Sequence, residues 1–415
     1  MSETWDLVIV GGGAAGLAAG IFAADAAAGA KRIAIIEGTG QCGTKILASG
    51  GGRCNVTHET VTSDDFSGSK NIVRNILAAF DAPTTVAWFS SLGVELKREE
   101  TGKLFPVTDS AKSVVTALLD GCRQRNVTVL TNTRVTGIRA ASPFKILHAN
   151  GVIEAHKIML ATGGRSLPKS GSDGIGWDIA RQLGHTVTST HQALAPLMLD
   201  ASFFHAELSG IARDVELSTF LEGKRIDHRT GALLFTHFGV SGPAVMDVSR
   251  FWVMAKDAGH LPELRCNLLP GDDFGSLDQW LIAKCALRPK AAILTLLSEL
   301  LPERVAACLL KHSGIIPATP AGQVSRESRR TLIHACTALV LPVTQPRGWN
   351  YAEVTAGGVP LSEINFRTME SRKAAGLYLV GEILDCDGRI GGFNFQWAWS
   401  TAFVAGKAAG KATSL

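Results

Sequence analysis

The sequence predicts an α/β protein in which a doubly wound sheet is interrupted by a β-rich segment and a small helical module, and then resumes. Three observations predict it. From Val8 to about Thr190 short apolar runs alternate with helical stretches, as a sheet covered on both faces requires. From about His191 the runs are short, alternating and bounded by Gly, Pro or charged turns. From Ser276 to Val340 apolar residues recur at three- and four-residue spacing, and strand-like runs return after Tyr351.

In chain order, strands are expected at Leu7 to Val10, Arg32 to Ile36, Val127 to Thr131 and Lys157 to Ala161. Helices are expected at Ala14 to Ala27, Asn71 to Ala79, Pro83 to Leu92 and Ala111 to Arg125, the last capped by Asp109-Ser110. The β-rich segment offers Val215 to Leu221, Gly231 to Phe235 and Glu263 to Leu268. The helical module offers Leu277 to Leu287, Lys290 to Leu300, Pro302 to His312 and Arg326 to Leu339, with Pro289 and Pro302 placed to open helices. Ala352 to Thr355 and Leu377 to Val380 then lead to a last helix, Trp397 to Ala409. The expected domains are 1–190 with 352–415, 191–270 with 341–351, and 271–340.

With 415 residues and 46% hydrophobic content the chain buries ample core. Lys+Arg 41 against Asp+Glu 37 leaves a formal charge of +4, too small a bias to identify a nucleic-acid protein by itself. The apolar stretch Leu7 to Ala28 is broken by Asp25 and by glycines, and Met1 to Asp6 carries no positive charge, so neither a membrane span nor a signal sequence is expected. The eight cysteines are scattered without a CxxC pair, as in reduced thiols of a cytoplasmic protein, and no metal site is expected.

The strand Leu7 to Val10 runs directly into Gly11-Gly12-Gly13-Ala14-Ala15-Gly16, and Glu37 closes the next apolar run twenty-one residues past Gly16. Each part suits a dinucleotide. Gly11 allows the tight turn, Gly13 admits a pyrophosphate to the backbone, Gly16 lets the helix close on the strand, and Glu37, followed by Gly38, accepts from ribose hydroxyls. The helix start supplies free N–H groups and roughly half a unit of positive charge. A plain Gly-rich turn would not account for the placed acid.

Three more glycine clusters follow. Lys45 leads into Ser49-Gly50-Gly51-Gly52-Arg53-Cys54-Asn55, where consecutive glycines lose roughly 0.5–1 kcal/mol each relative to alanine in regular structure and so need a reason. A backbone lying flat on a ring or phosphate gives one, with Lys45, Arg53 and Asn55 as donors. Ala161-Thr162-Gly163-Gly164 ends a strand at the carboxyl edge, where parallel sheets bind ligands. Gly381-Glu382 ends another, and Gly391-Gly392-Phe393-Asn394 opens the last helix, whose N-terminus suits the negative charge of a reduced flavin ring. That favours FAD over NAD.

These strings, with Thr236-His237-Phe238-Gly239-Val240-Ser241-Gly242-Pro243, Val354-Thr355-Ala356-Gly357-Gly358-Val359 and Thr368-Met369-Glu370-Ser371, resemble the BaiN/RdsA (YhiN-like) flavoproteins, which include aminoacetone-oxidase-like members. The resemblance covers essentially the whole chain. It implies a split FAD-binding Rossmann-like domain of glutathione-reductase type, an inserted β-barrel-like domain and a small helical domain. It further implies Glu37 on the adenosine ribose, Val135 near adenine, Gly381-Glu382 at the ribityl or pyrophosphate region, and Gly391 to Asn394 on the pyrimidine side of the flavin. Activities in the family differ: reduction of conjugated double bonds in steroid-like enones, oxidation of aminoacetone, and reduction of a ribosomal RNA uridine to dihydrouridine.

The expected chemistry is hydride transfer from a flavin to an activated C=C bond of a small molecule or RNA base, with an acid supplying the proton. His237 is the first candidate acid and Cys54 the second, its thiol acidified by Arg53 and the glycine loop. Thr355, Gly357 and Gly358 would wall the flavin. If the substrate is ribosomal RNA, Arg326, Arg329 and Arg330 would bind phosphates. There is no second GxGxxG and no CxxxxC redox pair, so a stable nicotinamide domain is not expected, and NAD(P)H would enter the substrate site only transiently as electron donor. The alternatives are an oxygen-using amine or amino-ketone oxidase and a non-enzymatic flavin-binding sensor or assembly factor.

Overall fold

Trp5–Val10 lies inside a nine-stranded sheet whose central strands are all parallel, in the order Leu377–Leu379, Gly151–Leu160, Trp5–Val10, Ile33–Ile36, Thr128–Leu130. The computed structural model describes residues 4–411, so Met1 to Glu3 of the leading flank without positive charge lie outside the described residues. The chain divides into two units, Met1–Thr190 with Glu353–Leu415, and His191–Ala352.

In the first unit, Leu7 to Val10 and Ile33 to Ile36 are buried without alternation, because helices cover both faces of a parallel sheet. The helix Ala14–Ala27 is likewise buried nearly all round. Its outer partner is the last helix, Phe393–Gly410, and small residues set the spacing. A Cβ on Gly406 would lie 2.7 Å from Cβ of Phe22, and one on Gly410 only 2.3 Å from the Ala23 carbonyl oxygen. The alanine-rich sequence is therefore a helix–helix contact.

Gly151–Leu160 is longer than expected. Its first half pairs with an antiparallel hairpin, Val135–Arg139 and Phe144–His148, while its second half joins the parallel centre. Asp109 does not cap the helix Ala111–Gln124: its backbone is left-handed (φ 51°) and its carboxylate pairs with Lys97. Ser110 is the N-cap residue, but its side chain makes no cap bond.

The chain leaves this unit after Thr190 and returns at Glu353, and a half-buried clasp joins the two passages. His185 Nδ1 meets Glu363 Oε2 at 2.7 Å, His185 Nε2 meets Ser371 Oγ at 2.8 Å, and Thr186 donates to Glu363 from both N and Oγ1. The Ser–His–Glu order looks hydrolytic, but Ser371 Oγ also accepts from the amides of Lys373 and Ala374, which holds it as a structural acceptor.

The second unit holds a seven-stranded sheet, in the order Leu339–Leu341, Glu263–Asn267, Ala212–Leu221, Lys224–Thr236, Gly239–Ser241, Leu197–Leu199, Val343–Pro346. Its two end strands are separated in sequence by Pro342 alone, so the sheet curls until its edges meet there. A helix absent from the sequence expectation, Pro243–Asp257, packs against this sheet; Pro243 opens it, as a proline at the first helical position can. The helices Phe274–Leu287, Ile293–Leu297, Glu303–His312 and Arg326–Thr337 share one buried core with the strands, joining Val215, Phe235 and Trp252 to Leu277, Leu309 and Ile333. The expected helix Lys290 to Leu300 is reduced to Ile293–Leu297. Pro289 follows a helix rather than opening one, and Arg288 before it has already left the helical conformation (φ −132°, ψ 59°).

Two outcomes are expected. Gly406→Val forces a branched side chain against Phe22 and should destabilise by about 1–3 kcal/mol, read as a lower melting temperature. Burial alone would raise the Glu363 pKa, but hydrogen bonds from Thr186 and His185 outweigh it and hold the group below its ordinary value of 4.5. A depressed folded pKa stabilises above the unfolded value and is lost as pH falls through the folded one. Glu363→Gln should therefore melt earlier than wild type at pH 7, and the two curves should converge on acidification below pH 4.5; parallel curves would remove Glu363 from the clasp.

Candidate functional site

The parallel register aligns Val10 with Ile36 on one side and Leu160 on the other, and Leu160 with Leu379. Four loops therefore leave the sheet side by side: Gly11 to Gly16, Glu37 to Thr39, Ala161 to Gly164, and Val380 to Glu382. This is the carboxyl edge at which open α/β sheets take their ligands.

Two backbone approaches shape the first loop. Gly11 has φ 110°, and a Cβ there would sit 2.4 Å from the Ala161 carbonyl oxygen. A Cβ on Gly16 would lie 1.8 Å from the Gly11 carbonyl oxygen, so no other residue fits. Gly13 is the helix N-cap; a Cβ there meets nothing within 4 Å, and the following turn, Ala14 and Ala15 included, has neither a capping side chain nor an acid. Its amides face outward with positive polarity.

Glu37 is nearly buried and already engaged. Oε2 accepts from the Gly12 amide at 2.9 Å, and Oε1 accepts from Thr39 N and Oγ1 at 2.8 and 2.9 Å. A carboxylate has about four acceptor positions, so one remains for a ribose hydroxyl. Beside it Cys42 touches Gly12, and burial, then Glu37, pushes its thiol up to about 11. Gly38 gives room to the Arg134 side chain, and Val135 is a buried strand residue.

The second, third and fourth glycine clusters are linked through one polar network. Lys45 Nζ reaches Glu382 Oε2 at 2.5 Å and Ser166 Oγ at 2.6 Å, while Glu382 Oε1 accepts from the Thr355 amide at 2.8 Å. Thr355 Oγ1 accepts from the amides of Arg165 and Ser166. Gly164 must lack a side chain, because a Cβ would lie 2.6 Å from Thr355 Oγ1. Lys45 thus makes an internal ion pair instead of standing as a free donor. Ser166 was not anticipated; it lies just past the Ala161 to Gly164 cluster, and only its partners reveal it. Gly357 packs against the Ser189 carbonyl and Gly358 against that of Ile383. Gly381 (φ 73°) donates to Thr401 Oγ1 and accepts from the Trp397 indole, a second pair that sequence reasoning missed.

The Ser49 to Asn55 loop winds through Gly50, Gly51 and Gly52, all left-handed, and Cys54 itself has φ 62°. Ser49 Oγ donates to the Ile46 carbonyl. Arg53 turns from the loop to Glu99 at 2.6 Å and stacks 4.1 Å over Phe105. Cys54 corrects the expectation of an acidified thiol: it is fully buried, and burial pushes it up to about 12. Asn55 meets the last cluster, where a Cβ on Gly392 would lie 2.8 Å from Asn55 Oδ1. Phe393 stacks on His58, Gly391 has φ 127°, and Asn394 ties back to both backbone atoms of Gly388.

The residues fit a bound dinucleotide on three counts. The helix starts at Gly13 and Gly392 have no side-chain cap and no acid in their first turns. Buried Asn55 Oδ1, Thr162 Oγ1 and Ser172 Oγ lack a protein partner. A Cβ on Gly163 would press on that same Ser172 hydroxyl at 2.9 Å. His237 belongs to the second unit, exposed in the turn between Lys224–Thr236 and Gly239–Ser241 and edge-on to Phe238. Of the three arginines considered for RNA, Arg329 pairs with Asp278 at 2.8 Å and Arg330 lies over Phe274. No group of His, Cys, Asp and Glu among the described residues could hold a metal ion, and none of their helices is long and apolar enough to cross a membrane.

A family model described as HI0933-like protein Rossmann domain matches residues 5–408. The chain is 34% identical over 403 residues to the 3-dehydro-bile acid delta(4,6)-reductase of Clostridium scindens, covering 97% of this chain and 98% of the relative. It is 33% identical over 404 residues to the ribosomal RNA dihydrouridine synthase of Escherichia coli, covering 97% of each. The 3-ketosteroid delta1-dehydrogenase of Sterolibacterium denitrificans shares the fold at TM-score 0.52 and 11% identity, covering 99% of this chain and 100% of that one.

Thiol reactivity checks the placement of Cys54. Cys285 is the one cysteine that is not buried. Brief treatment of the native protein with iodoacetamide, followed by peptide mass spectrometry, should label Cys285 first and leave Cys54 unmodified until the protein is unfolded.

Proposed function

We propose, on the premise that the chain belongs to the HI0933-like Rossmann family, that this FAD-dependent oxidoreductase reduces an activated carbon–carbon double bond. The observation that carries the reading is the alignment of four strand ends, which brings Gly11 to Gly16, Glu37, Gly164 and the Lys45–Glu382 pair to one edge. Gly11 to Gly16 would hold the pyrophosphate and Glu37 the adenosine ribose. Glu382, with Lys45 and Thr355 fixing it, would face the ribityl chain, and the loop Ser49 to Asn55 with Gly391 to Asn394 would cradle the ring. FAD supplies hydride transfer when bound.

The proton needs a separate donor. A thiol pushed up to about 12 holds its proton too tightly for that work, so Cys54 is set aside. His237, exposed on a short turn, keeps the role. With no second fingerprint and no redox pair to house a resident nicotinamide, NAD(P)H as electron donor would enter the substrate site only transiently. Eight free thiols support a reducing, cytoplasmic setting. The relatives' names support two substrate classes, an enone of steroid type or a uridine in ribosomal RNA.

Purified protein given NADPH should convert either a 4-ene-3-oxo steroid or unmodified ribosomal RNA, with the reduced product read by mass spectrometry. Failure on both, with the flavin reduced normally, would overturn the reading. His237→Ala should lower kcat about 100-fold or more while leaving the flavin spectrum unchanged.

A further inference from the structure

One arginine of the second unit lies against two aromatic rings. Arg229, Arg265, Arg288 and Arg329 each face a carboxylate, of Asp227, Glu263, Glu299 and Asp278 respectively. The guanidinium of Arg347 instead lies between two aromatic rings, 3.8 Å from the centre of Phe238 and 3.9 Å from that of Tyr351. No carboxylate pairs with it among the described residues. Its main chain is fixed as well: Val343–Pro346 ends just before it on the partner strand Leu197–Leu199, and the Arg347 amide donates to the Pro196 carbonyl at 2.9 Å.

Such stacking covers both faces of the guanidinium and leaves its N–H edge as the available binding surface. Faces do not donate hydrogen bonds; the edge presents a planar fork that matches the two oxygens of a carboxylate or phosphate. Sandwiching also removes the rotamer freedom that a free arginine would lose on binding. Tyr351 remains 48% exposed, so one wall is open to an apolar or planar body attached to the anion.

We propose that Arg347, clamped by Phe238 and Tyr351, is an oxyanion-binding site for a carboxylate or phosphate group of a ligand taken by the second unit. The choice of ligand rests on the substrate classes proposed above, but the test is separable from the redox chemistry because it reads equilibrium binding without turnover. The probes are a 4-ene-3-oxo steroid with a carboxylate side chain, its methyl ester, and a uridine-containing RNA hairpin at low and moderate salt. Tryptophan fluorescence reports the steroids and anisotropy the RNA, using the full chain.

Wild type is expected to bind the carboxylate at least about tenfold more tightly than the ester, or to bind the RNA with an affinity that falls at least about tenfold in Arg347→Met. Methionine keeps an apolar stem between the rings and removes the fork. Arg347→Lys should recover only part of the affinity, because it restores charge without bidentate geometry. A defect confined to the steroid acid identifies a carboxylate as the anion, and one confined to RNA identifies the phosphodiester. If Arg347→Met or Arg347→Gln, melting as wild type does, binds every probe unchanged, or if wild type binds none, the proposal is overturned.

Discussion

The register of the central parallel strands is the constraint from which the rest of the first unit follows. Because Val10, Ile36, Leu160 and Leu379 finish level, four loops must share one narrow edge. Crowding then selects their residues. Gly11 yields to the Ala161 carbonyl, Gly16 to Gly11 and Gly164 to Thr355. Glycine at this edge is the only way for neighbouring backbones to pass at these distances while still presenting amides outward.

That arrangement depends on a strand that arrives late. Leu377–Leu379 takes its place beside Gly151–Leu160 only after the chain has built the whole of the second unit. The clasp of His185 and Thr186 with Glu363 and Ser371 brings the returning chain to the passage that left, while Lys45 with Glu382 ties the returning edge to the early glycine loop. Both contacts join residues far apart in sequence, which explains why no local pattern announces them.

The fold class and the gathering of the glycine loops with Glu37 at one sheet edge were readable because they rest on local signals: unbroken apolar runs, positioned glycines and a spaced acid. The helix Ala14–Ala27 matches its expected bounds. What escaped was decided by partners. Pro243 opens a helix that looked like part of a β-rich stretch, and Asp109 turns to Lys97 instead of capping. Cys54 shows the same limit in chemistry. Its neighbour Arg53 suggested acidity, yet Arg53 points to Glu99 while the thiol points into the core, so burial decides its protonation.

The contact between Ala14–Ala27 and the last helix has a further consequence. It is made largely of alanine and glycine, side chains with almost no rotamers to freeze, so ordering it carries little side-chain entropy loss. The same helix begins at Gly13, the phosphate end of the proposed site. The proposed cofactor grip is therefore mounted on an element with little side-chain freedom left to surrender, and a ligand arriving there would meet amides already held in place.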